Sequence, residues 1–525
     1  MGILSFLGFT LLVGVIAYIS TLKTDENTSD GYFLGGRSLT GVVIAGSLLL
    51  TNLSTEQIVG LNGQAFTEGI LVMAWETLAA IAMVITAVFL LPRYLKGGIT
   101  TVPQFLERRY DTTTKAITSG LFLTGYAIVL LPIVLYTGSL ALSTMFDVPE
   151  MLGVSKNAAI WICVFGIGIV GSLYAIFGGL KAVAVSDTIN AVGLLIGGIM
   201  IPVFGLLEIG DGSIGDGLTT LFKENPEKFN SIGSSEASVP FATIFTGMML
   251  VQLFYWGTNQ AIIQRALGAK NLREGQKGLI LASFIKILGP LIVVLPGIIA
   301  FHMFGDTLEK ADEAYPTLVS KVLPLSLVGF FAAVLFGAIL SSFNSALNSS
   351  VTLFGVDIYK EYINKEASEK QTVKAGKIFG TLLALFAMLI APFLQSAESI
   401  FGYLQQVNGC YSIPILTIIV VGYLTKNVPA IAAKVAIISG AILYLLYVVL
   451  DGTIMKDQFP HFLHVMAILF VLNVIIMLII GKLYPRAQEY TQEYTKEVDI
   501  TPWKSVKLVG GLICIIVIGI YIYFS

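Results

Sequence analysis

The chain has 525 residues, of which 55% are hydrophobic and only 12% are charged, and its mean hydropathy is +0.84. Soluble globular proteins carry about 25% charged residues, so this composition excludes a water-soluble enzyme. The formal net charge of −2 argues against a nucleic-acid partner, and the three cysteines match no spacing typical of a metal site or a disulfide framework. Fourteen apolar stretches, each near the roughly 20 residues that cross a bilayer, predict an all-α, multi-pass membrane protein.

The predicted membrane spans follow one another with short polar connections. They cover residues 3–20, 39–65, 69–92, 116–145, 157–177, 180–207, 240–264, 278–303, 327–352, 373–395, 398–424, 428–450, 460–482 and 504–524. Of the 31 Lys and Arg residues, 24 fall in the loops of one side and six in those of the other. This bias predicts the Lys/Arg-rich side to be cytoplasmic and both termini to lie outside a cell (inner or plasma) membrane.

Two predicted spans are interrupted by polar residues that form helices poorly, over 50–57 and 254–260. They open two successive blocks of five spans, residues 39–207 and 240–424, which run in opposite directions. Such an inverted repeat is typical of secondary transporters, and the carbonyls of a broken helix can bind a cation or a substrate where they line a cavity. The alternative interpretation is that both runs are polar patches in tilted helices.

The rest of the chain is accessory to these two repeats. Residues 1–38 form an extra N-terminal helix and an inner loop, residues 208–239 form an extracellular loop, and residues 425–525 form three additional helices. The inner loop over 483–503 is polar and is expected to be an amphipathic or solvated linker.

Three ionisable residues stand out within the predicted spans, where a charge is costly unless it is paired or hydrated. Glu76 and Lys286 each lie about eight residues into a span, which places both roughly 12 Å deep from opposite faces. Asp187 lies about seven residues from the cytoplasmic face. Glu76 and Lys286 can form a structural ion pair, or they can belong to a polar substrate cavity; the sequence leaves both interpretations open.

The ninth span carries a stripe of small residues at helical spacing, namely Ala338, Ser341, Ser345 and Ser349. Such a stripe can serve close helix packing alone. Hydroxyls and free carbonyls are also the ligands that a hard, singly charged cation prefers, and the sequence contains no cluster of soft ligands for a transition metal.

Over nearly its whole length the chain resembles the sodium:solute symporter family, particularly its sodium/sugar members. The matching segments are Asp30–Ser38, Asn52–Gln57, Leu173–Ala182, Tyr255–Gln260 with Gln264 and Arg265, Ser341–Ser342, Leu347–Ser349 and Asp357–Lys360. The resemblance implies the five-plus-five inverted-repeat core of the sodium-coupled leucine transporter, with additional helices before and after it. It also implies site residues, which we transfer position by position.

By this resemblance the sugar contacts fall on Gln57, Glu76, Gln252, Lys286 and Gln405, and Tyr255 forms the inner aromatic gate. Asn52, from the same broken run, and Trp75, which can stack on a pyranose ring, join the predicted substrate site. Sodium is expected at the backbone oxygens of Leu50, Leu53 and Ala338 and the hydroxyls of Ser341 and Ser342. A second, weaker sodium site is the alternative to a single one, at Asp187, Asn344 and Ser345.

The sequence therefore predicts a sodium-coupled symporter that imports a neutral sugar, a hexose such as galactose or glucose, by alternating access. Its expected partners are Na⁺, the sugar and the lipid bilayer, and no enzymatic activity is expected. One alternative is a sodium symporter of another solute, such as an inositol, an organic acid or an osmolyte. The other is a solute channel or a membrane-embedded sensor.

Overall fold

The computed structural model describes residues 2–22, 28–308, 310–396, 400–453, 455 and 458–525. Over these ranges the chain is helical and contains no strand; one isolated bridge pairs Leu39 with Ala269. The absence of sheet follows from long continuous apolar runs, whose backbone polar groups are satisfied inside a bilayer by helical hydrogen bonds.

The first repeat and the segment before it form eleven helices in chain order. They are α1 (Gly2–Thr21), α2 (Ser29–Leu34), α3 (Gly41–Asn52), α4 (Thr55–Glu68), α5 (Ala74–Ile85), α6 (Leu91–Lys96), α7 (Val102–Arg109), α8 (Thr112–Gly125), α9 (Leu131–Met145), α10 (Val148–Leu152) and α11 (Lys156–Ile209). Helix α11 contains the fourth and fifth spans of the first repeat. A kink at Gly179, whose φ is 56° and ψ is −169°, separates the two spans. Glycine tolerates this positive φ, which L side chains disfavour.

The second repeat and the segments around it form the remaining thirteen helices of the described residues. They are α12 (Ile214–Glu224), α13 (Gly247–Gly257), α14 (Gln260–Leu267), α15 (Leu272–Ile287), α16 (Gly289–Val293), α17 (Leu295–Phe304), α18 (Ala314–Val322), α19 (Leu325–Thr352), α20 (Glu369–Ile390), α21 (Ile400–Leu424), α22 (Ala430–Gly452), α23 (Phe462–Leu483) and α24 (Val506–Tyr523).

Short 3₁₀ and π segments lie between or extend these helices. The 3₁₀ segments are Gly35–Arg37, Gly69–Met73, Pro226–Phe229, Phe241–Phe245, Gly305–Thr307, Ala311–Glu313 and Ala391–Ser396, and the π segments are Thr86–Leu90, Tyr126–Leu130 and Leu353–Ile363. The last π segment extends α19 eleven residues beyond the span predicted to end at 352.

Ten helices of the described residues are long and apolar enough to cross a membrane, or eleven when the bent pair Leu272–Ile287 and Gly289–Phe304 counts as one span. The other three of the fourteen predicted stretches hold shorter helices. The apolar part of α1 covers Phe6–Ser20, while α3 and α13 stop at the predicted breaks. The difference between fourteen and eleven thus comes from one short helix and two broken ones.

Packing around the two broken helices creates two neighbouring sites. Helix α3 contacts α11, α15 and α19, and α13 contacts α5 and α21. Helix α4 contacts α21 as well. The first group therefore meets where α3 breaks, and the second surrounds the start of α4 and the end of α13.

Residues 484–505, which we call the inner strap, run extended between α23 and α24. The amide of Thr495 donates to the carbonyl of Lys96 at 3.1 Å, and the amide of Leu272 donates to the carbonyl of Asp499 at 2.8 Å. Glu497 lies 3.4 Å from the guanidinium of Arg37. The predicted solvated linker is thus a solvent-exposed segment that is nonetheless hydrogen-bonded to both repeats.

Candidate functional site

Both predicted helix breaks are confirmed at the residues that the polar runs indicated. Helix α3 ends at Leu53, whose φ and ψ are −77° and 56°, and α4 begins after an extended Ser54. Helix α13 ends before Thr258, and the side chain of Asn259 caps α14 by accepting a hydrogen bond from the Ala261 amide at 3.0 Å. At each break the last carbonyls lose the amides of a following turn.

The break in α3 lies directly against the serine stripe of α19. The Ser342 hydroxyl donates to the Thr51 carbonyl at 2.8 Å, and the hydroxyls of Thr51 and Ser341 lie 3.3 Å apart. Leu50 and Leu53 flank Thr51 on the chain, and Ala338 lies one turn before Ser341. The five residues predicted to hold sodium are buried, with exposed fractions of 4% or less: Leu50, Leu53, Ala338, Ser341 and Ser342.

Asp187 lies beside this contact, in a network centred on Arg265. The Ser47 hydroxyl donates to Asp187 Oδ2 at 2.6 Å and accepts from Arg265 Nε at 3.0 Å. Arg265 Nη2 lies 4.0 Å from the same carboxylate oxygen and donates to the Ser345 hydroxyl. Both charged side chains are 1% exposed, so a guanidinium bridges two of the three residues predicted for a second sodium ion.

The third residue of that set, Asn344, faces elsewhere. It lines a cavity of about 90 Å³ between α1, α11 and α19, together with Tyr174, Ser186, Asn190 and Ser341. Its side-chain oxygen has no hydrogen-bond partner among the described residues. The structure therefore brings Asp187 and Ser345 together without Asn344.

A second cavity lies among α4, α5, α13 and α21 and contains six of the eight predicted substrate and gate residues. Its lining residues are Asn52, Glu56, Gln57, Trp75, Leu130, Val251, Gln252, Tyr255, Asn259, Leu404, Gln405, Asn408 and Tyr411. The free space is about 40 Å³, which holds a few water molecules and is smaller than a hexose. Side chains would have to move before a molecule the size of a hexose could enter.

The wall formed by residues 52–57 presents hydrogen-bond acceptors to this cavity. Asn52 Oδ1, Glu56 Oε2 and Gln57 Oε1 are buried and have no partner among the described residues. On other walls two side-chain oxygens are occupied: Asn259 Oδ1 accepts from Tyr126 and Asn408 Oδ1 accepts from Tyr411, each at 2.6 Å. Buried polar atoms are rarely left unpaired, so the unpaired oxygens indicate a ligand-binding wall.

Tyr255, the predicted gate, belongs to α13 and lies next to the wall formed by residues 52–57. Its hydroxyl interacts with the side chain of Asn52, and its ring packs edge-on against Trp256 with 5.1 Å between the centroids. The aromatic ring thus covers one side of the cavity next to the α3 break.

Glu76 and Lys286 do form an ion pair, but outside the cavity lining. Lys286 Nζ lies 2.5 Å from Glu76 Oε2, and both side chains are 1% exposed. Trp256 and Gln252 connect the pair to the cavity: Lys286 Nζ lies 5.6 Å from the Trp256 ring, Trp256 Nε1 donates to Gln252 Oε1 at 3.1 Å, and Gln252 Nε2 donates to the Trp75 carbonyl at 2.9 Å. The pair is therefore a layer behind the cavity wall.

Several residues of the two sites were not predicted as such from the sequence. Thr51 and Glu56 lie within the polar run 50–57 that identified the break, so the sequence does contain a signal for these two residues. Arg265 directly follows the span predicted to end at 264 and lies in the last turn of α14, yet it is buried. The sequence carried no signal for Asn408 and Tyr411, because they reach the cavity only through the packing of α21.

Comparison with known proteins identifies the group to which this architecture belongs. The sodium:solute symporter family profile matches residues 32–440. The chain is 50% identical to the uncharacterized symporter YidK of Escherichia coli strain K12 over 520 residues, covering 99% of this chain and 90% of that protein. It is 33% identical to the sodium/glucose cotransporter of Vibrio parahaemolyticus, covering 82% and 81% of the two chains.

Among solved structures, a Na⁺-coupled sialic acid symporter in an outward-open state superimposes with a TM-score of 0.78 at 21% identity, covering 93% of this chain and 99% of that one. This likeness shows the fold, which agrees with the two broken helices and the repeats described above. The chain belongs to the sodium:solute symporter family and is a sodium-coupled solute symporter embedded in the membrane by multiple helices.

Proposed function

We propose that the solute is a neutral sugar, a hexose such as galactose or glucose, imported with sodium by alternating access. The observation that carries this proposal is the cavity lined by Asn52, Gln57, Trp75, Gln252 and Gln405. Amide and carboxylate groups pair with several hydroxyls at once, and an indole offers an apolar face to a pyranose ring. The 33% identical relative named as a sodium/glucose cotransporter supports the same substrate class.

Glu76 and Lys286 remain in the proposed binding set as residues of the adjacent layer. Gln252 and Trp256 link their ion pair to the cavity. The two would contact a sugar if the pair opened as the cavity widened, and together they add no net charge that would recruit an ionic solute.

We propose that sodium binds between the α3 break and α19, at the carbonyls of Leu50, Leu53 and Ala338 and the hydroxyls of Ser341 and Ser342. The 2.8 Å hydrogen bond from Ser342 to the Thr51 carbonyl supports this placement, because it brings α19 hydroxyls to the free carbonyls of the break. Oxygen ligands without a fixed charge suit a hard monovalent ion that must also be released. Because Lys and Arg are concentrated in the loops of one side, we also propose that this side is cytoplasmic and that both termini lie outside.

The second candidate is a sodium symporter of a cyclic polyol such as an inositol, because unpaired acceptors fit any polyhydroxy compound. An organic acid is less favoured, since no Lys or Arg is among the described residues that line the cavity. A channel is disfavoured because the free space in the cavity is only about 40 Å³.

The test is uptake by the purified protein in proteoliposomes under an inward sodium gradient. The panel contains radiolabelled galactose, glucose, myo-inositol, sialic acid and proline. We expect hexose uptake that is lost when potassium replaces sodium, and uptake of inositol alone would select the second candidate. Gln405→Ala should reduce hexose uptake by about fivefold to 150-fold, since one unpaired buried partner costs about 1–3 kcal/mol.

The matched control is Gln406→Ala. Gln406 is the next residue of α21, interacts with Tyr447 and does not line the cavity, so its replacement should leave uptake near the wild-type rate. Equal uptake by the Gln405→Ala variant and the wild type would contradict the cavity assignment.

A further inference from the structure

Glu56 is the one acidic residue among the described residues that line the substrate cavity, and none of the ion pairs in that part of the chain includes it. Its side chain is 6% exposed, the Ser54 hydroxyl and the Glu56 amide interact with the carboxylate, and Oε2 has no hydrogen-bond partner among the described residues. A buried carboxylate oxygen without a partner is costly. An atom in this state, facing a cavity, is positioned to accept a hydrogen bond from whatever enters.

The neighbouring acceptors give this wall a defined polarity. Asn52 Oδ1 and Gln57 Oε1 flank Glu56 on the same broken run and are also unpaired among the described residues. An amide can turn and present its NH₂ group instead, whereas an ionised carboxylate accepts in every orientation. Because of Glu56, this wall accepts hydrogen bonds, and the solute must supply the donors.

We propose that Glu56 contacts the substrate, accepts hydrogen bonds from hydroxyls of the sugar, and excludes solutes that carry a carboxylate. This inference rests on the proposed sugar transport and adds a specificity-determining residue to it. Hydroxyl groups donate to the carboxylate and satisfy Oε2. A sugar acid would instead place a second negative charge beside Glu56, with no cationic side chain on the described cavity lining to compensate.

The inference predicts a change in selectivity as well as a loss of affinity. Glu56→Gln keeps the shape of the side chain, removes its charge and adds a donor. For this variant we expect the hexose KM to rise about tenfold. The deoxy-hexose that lacks the contacting hydroxyl should be disfavoured relative to the parent sugar in the wild type but not in the variant. A uronic acid should compete with hexose uptake in the variant only.

The experiment measures sodium-driven uptake in proteoliposomes for the wild type, Glu56→Gln and the control Glu150→Gln, whose side chain is exposed outside the cavity. The probes are the parent hexose, its mono-deoxy analogues and the corresponding uronic acid. Sodium-dependent quenching of tryptophan fluorescence by each sugar gives a binding readout that does not require transport, because Trp75 lines the same cavity.

An unchanged hexose KM together with an unchanged analogue profile in Glu56→Gln overturns the inference. If Glu56→Gln does not fold, Glu56→Asp takes its place: it must weaken hexose binding and still reject the uronic acid, and competition by the uronic acid in that variant overturns the inference. A wild type without any sodium-dependent hexose signal contradicts the proposed function itself, which is a different result from a functional wild type with an indifferent Glu56 variant.

Discussion

Glu76 and Lys286 form a buried ion pair in which each side chain is only 1% exposed. Removing one partner from a buried ion pair costs about 3–5 kcal/mol, because the other charge stays buried alone. We therefore expect Lys286→Ala to lower the stability of the purified protein by this amount and to abolish uptake. Glu76→Gln should fold better, since its amide oxygen can still accept from Lys286, while losing sugar uptake.

Thermal unfolding in detergent checks this prediction, with the double variant Glu76→Leu/Lys286→Met as the control. Replacing both charges by apolar groups of similar volume often restores stability. The double variant should unfold near the wild-type temperature and still fail in uptake. Normal uptake by it would show that the pair is purely structural.

The same residues show what a sequence reveals about a site and what it does not. Depth along the helices brought Glu76 and Lys286 to a similar level, and the structure places them 2.5 Å apart. Adjacent helical residues point about 100° apart, so of Trp75 and Glu76 only one faces the cavity, and it is Trp75. Which of the two does so depends on how α5 is rotated against α13 and α15, and no local pattern in the sequence records that rotation.

Among the structural elements, the 3₁₀ segment Ala311–Glu313 covers the part of α4 that follows the break. The packing is close: a Cβ on Gly63 would lie 2.9 Å from Asp312 Oδ1. Burial raises the pKa of Asp312 to about 6, an effect that Lys310 opposes and Glu313 reinforces. The folded state thus favours the neutral carboxyl, so this contribution to stability is complete below about pH 4 and is lost as the pH rises through 6.

We expect Asp312→Asn to hold this segment more firmly at pH 7.5, by about 1–2 kcal/mol after allowance for partial exposure. Hydrogen exchange of the amides in residues 310–322 measures it, with Glu224→Gln on the exposed surface of α12 as the control. Protection in the variant should exceed that of the wild type at pH 7.5 and match it at pH 3.5. Equal protection at both values would show that Asp312 does not govern the packing of this segment.

The structural elements also differ in how well the sequence predicts them. The breaks after Asn52 and Gly257 were predictable because polar, β-branched and glycine residues interrupt apolar runs, which is a local signal. The inner strap was not, because its hydrogen bonds to Lys96 and Leu272 join backbone atoms that any sequence possesses. The positions of such contacts follow from the arrangement of helices and not from residue types.

For the whole molecule, the number of sodium ions coupled to each solute molecule follows from how buried charges are balanced. The guanidinium of Arg265 bonds Ser345 and lies 4.0 Å from Asp187, so a protein cation already neutralises that carboxylate. We therefore expect one sodium per sugar. Reversal potentials of coupled flux in proteoliposomes measure this ratio: a tenfold sodium gradient should balance about a tenfold sugar gradient with one ion and about a hundredfold gradient with two.

Asp187→Asn distinguishes the two cases. A ratio of two in the wild type that falls to one in this variant would show that a second ion binds at Asp187 despite Arg265. A ratio of one in the wild type agrees with the single site at Ser341 and Ser342.

The inner strap also limits how the two repeats can separate at their inner ends. It holds the carbonyl of Lys96, just after the third predicted span, and the amide of Leu272, just before the eighth, through residues only four positions apart, Thr495 and Asp499. Four residues of fully extended chain reach about 14 Å. While both hydrogen bonds hold, these two helix ends stay within this reach of each other, so the two repeats can move apart only at positions away from these ends.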